Sequence, residues 1–107
     1  MIQQISAEDL SRRLNAKDKF RLIDCREPDE HKYCRIESAE LIPLSQFQAQ
    51  ALTALKPDED IVIHCHHGGR SQRACEYLLS QGYKNLTNVS GGIDAWSLNV
   101  DPKVPRY

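Results

Sequence analysis

The run DIVIH, residues 60–64, is followed four residues later by the pair Gly68–Gly69 and then by RSQRACEYLLS, residues 70–80. A β-branched run of this length suits a strand buried on both faces. Glycine loses the most backbone freedom on folding and is poor inside strands and helices, so the pair marks a tight, sharply bent loop. Beyond it, Ala74, Tyr77 and Leu78 mark one helical face, and Gly82 suits the position just past a helix end. The unit is therefore strand, tight loop, helix.

The rest of the chain follows the same order. SAEDLSRRL, residues 6–14, reads as a helix start: Ser6 is the N-cap, Asp9 completes an approximate capping box, and Ala7, Leu10 and Leu14 share a face. FRLID, residues 20–24, reads as a short strand. Pro28 breaks it and suits a turn or the first turn of a helix. AELIPL, residues 39–44, reads as another short strand. SQFQAQALTAL, residues 45–55, reads as a helix capped by Ser45, with Phe47, Ala51 and Leu55 at helical spacing and Pro57 stopping it. NLTNV, residues 85–89, is the last strand, and GGIDAW, residues 91–96, turns from a glycine pair into a short helix.

Strands alternating with helices require crossover connections. The expected fold class is α/β, a mostly parallel central sheet of about five short strands with helices on both faces. A chain of 107 residues fits one domain, here residues 1–99 as core and 100–107 as a polar, proline-broken tail. In such sheets ligands bind beyond the carboxyl ends of the strands, where Asp24 and Cys65 stand. Net charge is −1, which gives no electrostatic footprint for nucleic acid or acidic membranes. No run is long and apolar enough to span a bilayer, and the N-terminus lacks the order of a secretory signal, so the cytoplasm is the expected location. The four cysteines, Cys25, Cys34, Cys65 and Cys75, form no CxxC pair and are expected to be free in a reducing compartment.

The loop has a chemistry of its own. A helix N-terminus offers unpaired N–H groups and the positive end of the helix dipole. Glycines let loop amides turn inward as a nest for an anion. A thiol at the start of that loop is expected to be more thiolate than an average cysteine, and the thiolate is the nucleophile. Arg70 adds a fixed charge and a fork of donors suited to an oxyanion.

HCHHGGRS, residues 64–71, resembles the active-site loop of the rhodanese family of single-domain sulfurtransferases, whose form is Cys-x-x-Gly-x-Arg-Ser. Cys65, Gly68, Arg70 and Ser71 match it. LIDCREPDEH is similar to the family's Asp-x-Arg-Glu-Pro segment through Asp24, Arg26, Glu27 and Pro28. VSGGIDAW is similar to its Gly-Gly-x-x-Ala-Trp signature through Gly91, Gly92, Ala95 and Trp96. The resemblance covers nearly the whole chain. It implies a sulfurtransferase in which Cys65 takes a sulfane sulfur from a donor such as thiosulfate, becomes a persulfide, and passes the sulfur to cyanide, a thiol or a protein acceptor. It implies no cofactor. The cradle is the backbone of His66, His67, Gly68, Gly69 and Arg70. Arg70 orients the donor anion and steadies the loop, partly by hydrogen bonding, and Ser71 caps the helix or hydrogen-bonds near the thiolate.

Two other readings stand beside this one. Cysteine phosphatases also combine a cysteine, a loop of amides and an arginine, but five residues separate the two there and four here, a tighter cradle better matched to one sulfur than to a phosphoryl group. A non-catalytic or partner-specific sulfur-carrier or interaction module is possible on the same fold. Asp24 and Arg26 are expected mainly to hold the loop by an ion pair or turn cap. Arg35 adds charge at the pocket rim or is simply solvated. It opens RIESA, residues 35–39, where the family often has His-Ile-x-Gly-Ala, so Ser38 replaces a glycine. His66 and His67 either attract an anionic donor when protonated or only supply amides. His64 is expected to make a structural hydrogen bond and His31 to lie at the surface. Adjacent strand residues point to opposite faces, so few of the HCHH side chains are expected to reach one metal ion. Cys25, Cys34 and Cys75 read as small buried hydrophobes, with Cys25 or Cys34 as the alternative of a resolving thiol.

Overall fold

The computed structural model describes residues 1–107. Its elements are β1 (Ile2–Ile5), α1 (Ala7–Asn15), β2 (Arg21–Asp24), α2 (Pro28–Tyr33), β3 (Glu40–Leu41), α3 (Phe47–Ala54), β4 (Asp60–His64), α4 (Gly69–Ser80), β5 (Asn85–Val89) and α5 (Gly92–Asn99). The sheet order is β1-β5-β4-β2-β3, with every neighbouring pair parallel. This is the α/β architecture that the alternation implies.

Period-two alternation divides the core. Ile23 and Cys25, with Ile61, Ile63 and Cys65, point to the side covered by α3 and α4, where Phe47, Ala51, Ala74, Cys75 and Leu78 complete one apolar cluster. Leu22 and Val62 point to the other side, against Ala7 and Leu10 of α1 and Ile93 and Trp96 of α5. Ser6 caps α1 by accepting from Asp9 N at 3.0 Å, and Pro28 opens α2 at its first turn.

The sheet differs from the sequence expectation at both edges. β1 carries IQQI, with both glutamines exposed and both isoleucines half-buried, so it shows no alternation to read. β3 is cut to two residues because Pro43 follows closely. Ser45 does not cap α3. It lies in a 3-10 turn, Leu44–Gln46, and its hydroxyl donates to Glu27 Oε1 at 2.5 Å. Ser38, exposed in the turn before β3, needs none of glycine's freedom, since the one non-glycine residue with positive φ is Lys17.

From β2 the chain moves outward to β3, and from β4 it moves the other way to β5. The crevice between β2 and β4 is therefore the switch point at which α/β sheets bind ligands. Cys25 ends one wall of it and Cys65 the other.

Candidate active site

Gly68, buried with φ +111°, is the residue that the loop requires to be glycine. It caps α4 in a left-handed conformation, and a Cβ there would stand 3.3 Å from Gly91 N. Gly69 is exposed, has no positive φ, and has open space around its Cα. The loop's carbonyls are held from outside. Gly91 N donates to His67 O at 3.0 Å, Ile93 N to Cys65 O at 2.9 Å and Asp94 N to His66 O at 3.1 Å. The orphan amides at the start of α5 thus tie down the carbonyl edge of the loop, and a Cβ on Gly92 would run into those carbonyls at 2.5 Å. Gly91 and Gly92 therefore brace the Cys65 loop.

The opposite edge of the loop faces the sulfur. Gly68 N lies 3.1 Å from Cys65 Sγ. Ser71 N and Ser71 Oγ lie 3.4 Å from it. The Cys25 thiol, at the end of β2, packs with Cys65 in the same apolar cluster. Together with Ser71 and Gly68, and against the effect of burial, it lowers the Cys65 pKa to about 4. Ser71 sits two residues into α4 rather than at its cap. Its one proton has Sγ, Gly68 O at 3.2 Å and Asn88 Oδ1 in reach. Asn88 of β5 is itself anchored to Gln4 and Gly68 O. Asn88 was not read from the sequence, where an asparagine in a strand gives no distinctive signal.

Arg70 does not present an empty fork. Its two terminal nitrogens donate to the Glu30 carboxylate at 2.7 and 2.8 Å, and this pairing lowers the Glu30 pKa to about 2. Glu30 comes from α2, three residues after Glu27, whose N–H it accepts at 3.0 Å. That acidic spacing at a helix start was the one signal for it. Tyr107, from the tail, donates to Glu30 Oε2 at 2.7 Å, accepts from Arg26 Nη1 at 3.0 Å, and stacks on His66 with centroids 3.9 Å apart. No local pattern in the sequence announces that contact.

Asp24 and Arg26 are both fully buried. Asp24 accepts from Arg26 N at 2.9 Å and pairs with Nη2 at 2.7 Å, while Arg26 Nη2 also donates to Cys34 O at 2.6 Å. They join the end of β2 to the end of α2. Arg35 is elsewhere. It is exposed and lines a cavity of about 700 Å³ with Ser11, Lys32, Trp96 and Lys103, none of them from the Cys65 loop. The rim of the Cys65 site is therefore formed without Arg35.

Burial, followed by the neighbouring His67, pushes the His66 imidazole down from its ordinary value, so at neutral pH it lies further toward the uncharged form. His64 Nδ1 lies 3.4 Å from Cys65 O, and burial lowers its pKa as well. His66 and His67 depart from the geometry expected of strand neighbours. β4 ends at His64, and beyond it the two rings turn to one side and stack at 3.9 Å. With Asp94 they place one ligand atom each within 4.8 Å. These three are the side chains that could approach one ion, although Asp94 is already paired with Arg106 at 2.9 Å.

All four cysteines are buried and free. Cys34 packs in the cluster on the other side of the sheet, so its thiol does not share the Cys65 crevice. Cys75 directs its thiol at Thr87 O, 3.7 Å away, and burial raises its pKa to about 12. Of the other three, Cys25 alone is the cross-strand neighbour of Cys65, one residue beyond the Asp24–His64 pair of the β2–β4 ladder. No helix is long and apolar enough to cross a membrane.

Comparison with known proteins agrees with this geometry. The model of the rhodanese-like domain matches residues 6–99. The chain is 37% identical over 104 residues to a sulfurtransferase from Allochromatium vinosum, covering 97% of this chain and 96% of that protein. It is also 37% identical over 112 residues to the chloroplastic rhodanese-like/PpiC domain-containing protein 12 of Arabidopsis thaliana, covering 99% of this chain but spanning 38% of that protein. A rhodanese-like domain protein from Staphylococcus aureus superposes with a TM-score of 0.83 at 28% identity over 98% of each chain. The chain belongs to the rhodanese-like family, which includes sulfurtransferases of its own length.

Proposed function

We propose that the protein transfers a sulfane sulfur from an anionic donor such as thiosulfate to a thiophilic acceptor, through a persulfide on Cys65. The observation that carries this reading is the set of hydrogens aimed at Cys65 Sγ: Gly68 N at 3.1 Å with Ser71 N and Oγ at 3.4 Å. The Cys65 thiolate attacks the outer sulfur of thiosulfate and expels sulfite. The persulfide's terminal sulfur then carries the negative charge, and preorganised amides stabilise it as an oxyanion hole stabilises oxygen. In this reading Cys65 is the nucleophile, the backbone of residues 66–70 is the cradle, and Ser71 donates to the sulfur. Arg70 holds the cradle's outer wall through Glu30. Four residues between Cys65 and Arg70 support a cradle for one sulfur rather than for a phosphoryl group.

The reduced protein mixed with thiosulfate is expected to release sulfite in a burst of about one equivalent per chain. Cys65→Ser is expected to release none while keeping the wild-type circular dichroism. A folded, reduced wild type that yields no sulfite overturns the reading.

A further inference from the structure

We propose a further activity that rests on the Cys65 persulfide: Cys25 resolves it, expelling the outer sulfur as hydrosulfide and closing a Cys25–Cys65 disulfide, so that with a dithiol reductant the protein reduces thiosulfate to sulfite and hydrosulfide. The sheet itself places the two sulfurs. Asp24 and His64 are register partners on β2 and β4, and Cys25 N donates to His64 O at 3.1 Å. Cys25 and Cys65 are therefore the next residues of the same ladder. Neighbouring strands run about 4.8 Å apart, inside the Cα window of about 4.4–6.8 Å that a disulfide accepts. Both side chains point to the α3 and α4 side and sit in one apolar cluster. Cys34 is in the other cluster and Cys75 is turned to Thr87 O, so Cys25 is the thiol in position.

Access favours the same route. Cys65 is 1% exposed and Cys25 is fully buried. An external thiol has to reach a sulfur that is almost wholly covered, whereas Cys25 is the cross-strand neighbour of Cys65. A nucleophile held in contact with its electrophile gains the advantage of an intramolecular reaction.

The step balances. The persulfide carries its negative charge on the outer sulfur, and Cys25 carries one proton, since the neighbouring Cys65 and its own burial both push its pKa up. Persulfidation moves the charge off Cys65 Sγ, and the proton passes to the outer sulfur. The Cys25 sulfur then attacks Cys65 Sγ, the bond to the outer sulfur breaks, and hydrosulfide leaves with that bond's electron pair. The two cysteine sulfurs are oxidised to a disulfide and the sulfane sulfur is reduced to sulfide. A dithiol then reduces the disulfide and is oxidised in turn, by ordinary thiol–disulfide exchange.

The test mixes reduced wild type and Cys25→Ala with thiosulfate, without any thiol present, and follows sulfite, hydrosulfide and intact mass. Wild type is expected to release sulfite and hydrosulfide in equal amounts and to lose the mass of two hydrogen atoms. Peptide mapping is expected to find Cys25 joined to Cys65, and dithiothreitol to restore the starting mass. Cys25→Ala is expected to release hydrosulfide at least about tenfold more slowly and to hold one added sulfur. Wild type decides the matter even where the variant fails to fold. Sulfite release with a stable added sulfur and an unlinked Cys25 overturns this inference and leaves the transfer reading intact. Release of neither sulfite nor hydrosulfide overturns both. Hydrosulfide release from folded Cys25→Ala at the wild-type rate, or a disulfide to Cys34 or Cys75, also overturns it.

Discussion

The groups that touch Cys65 Sγ are N–H and O–H dipoles rather than a full positive charge, because Arg70 gives both terminal nitrogens to Glu30. A thiolate whose pKa is lowered to about 4 by the neighbouring Cys25, Ser71 and Gly68 remains ionised as the pH falls through the range where an ordinary thiol, at about 8.5, has taken up its proton. Alkylation of Cys65 by iodoacetamide, followed by peptide mapping, is expected to stay level from about pH 8 to about pH 5 and to fall only as the pH approaches that pKa. A rate falling tenfold per unit from pH 8 downward would mean that the dipoles do not hold the thiolate. The adjoining glycines separate two kinds of requirement. Gly68→Ala forces a side chain into φ +111° against the Gly91 backbone and is expected to cost about 1–3 kcal/mol. Gly69→Ala adds a methyl to open space at the first residue of α4 and is expected to gain about 0.4–1 kcal/mol by restricting the unfolded chain. Urea titration of the two variants measures both signs.

Between elements, the site is held by contacts that leave the strands' own hydrogen bonding undisturbed. The first amides of α5 clamp the carbonyls of the Cys65 loop, and the Asp24–Arg26 pair fastens the end of β2 to the last turn of α2. Removing one member of a fully buried ion pair leaves the other charge without a partner, a loss of about 3–5 kcal/mol. Asp24→Ala is therefore expected to lower the stability of the fold by that amount, read from the urea midpoint, even though neither side chain touches Cys65 Sγ. A loss below about 1 kcal/mol would mean that Arg26 finds a substitute partner. The elements differ in how plainly the sequence announces them. DIVIH, the glycine pair and the following helix are legible because burial on both faces, a left-handed turn and a helical stripe each demand a residue type. β1 is not, because IQQI is an edge strand whose burial follows no period. The loop cysteine and its amides are legible as a unit. The occupant of the Arg70 fork is not, because Glu30 reaches it across forty residues, and only the tertiary fold, which brings α2 within reach of the start of α4, decides that a carboxylate, rather than a substrate, meets the guanidinium.

At the scale of the whole molecule, the end of the chain returns to its middle. The tail read as a polar, proline-broken extension, yet Tyr107 accepts from Arg26 at the end of β2 and donates to Glu30 on α2, which pairs with Arg70 on α4. Its ring covers His66, nearly parallel at 3.9 Å. These contacts join residues about forty to eighty positions apart, so they follow from the tertiary fold and from no local preference. The ring's effect on His66 has a definite sign. Burial is the largest influence on that imidazole and disfavours its charged form, so its pKa lies below the ordinary value. Tyr107→Ala uncovers the ring, returns water to it, and is expected to raise the His66 pKa toward that value. Tyr107→Phe keeps the stacked ring while deleting the hydroxyl between Arg26 and Glu30, and is expected to leave the His66 pKa near that of wild type. NMR titration of the imidazole carbons distinguishes the cases. A His66 pKa that stays put or falls in Tyr107→Ala would mean that the loop itself, rather than the returning tail, holds the His66 pKa down.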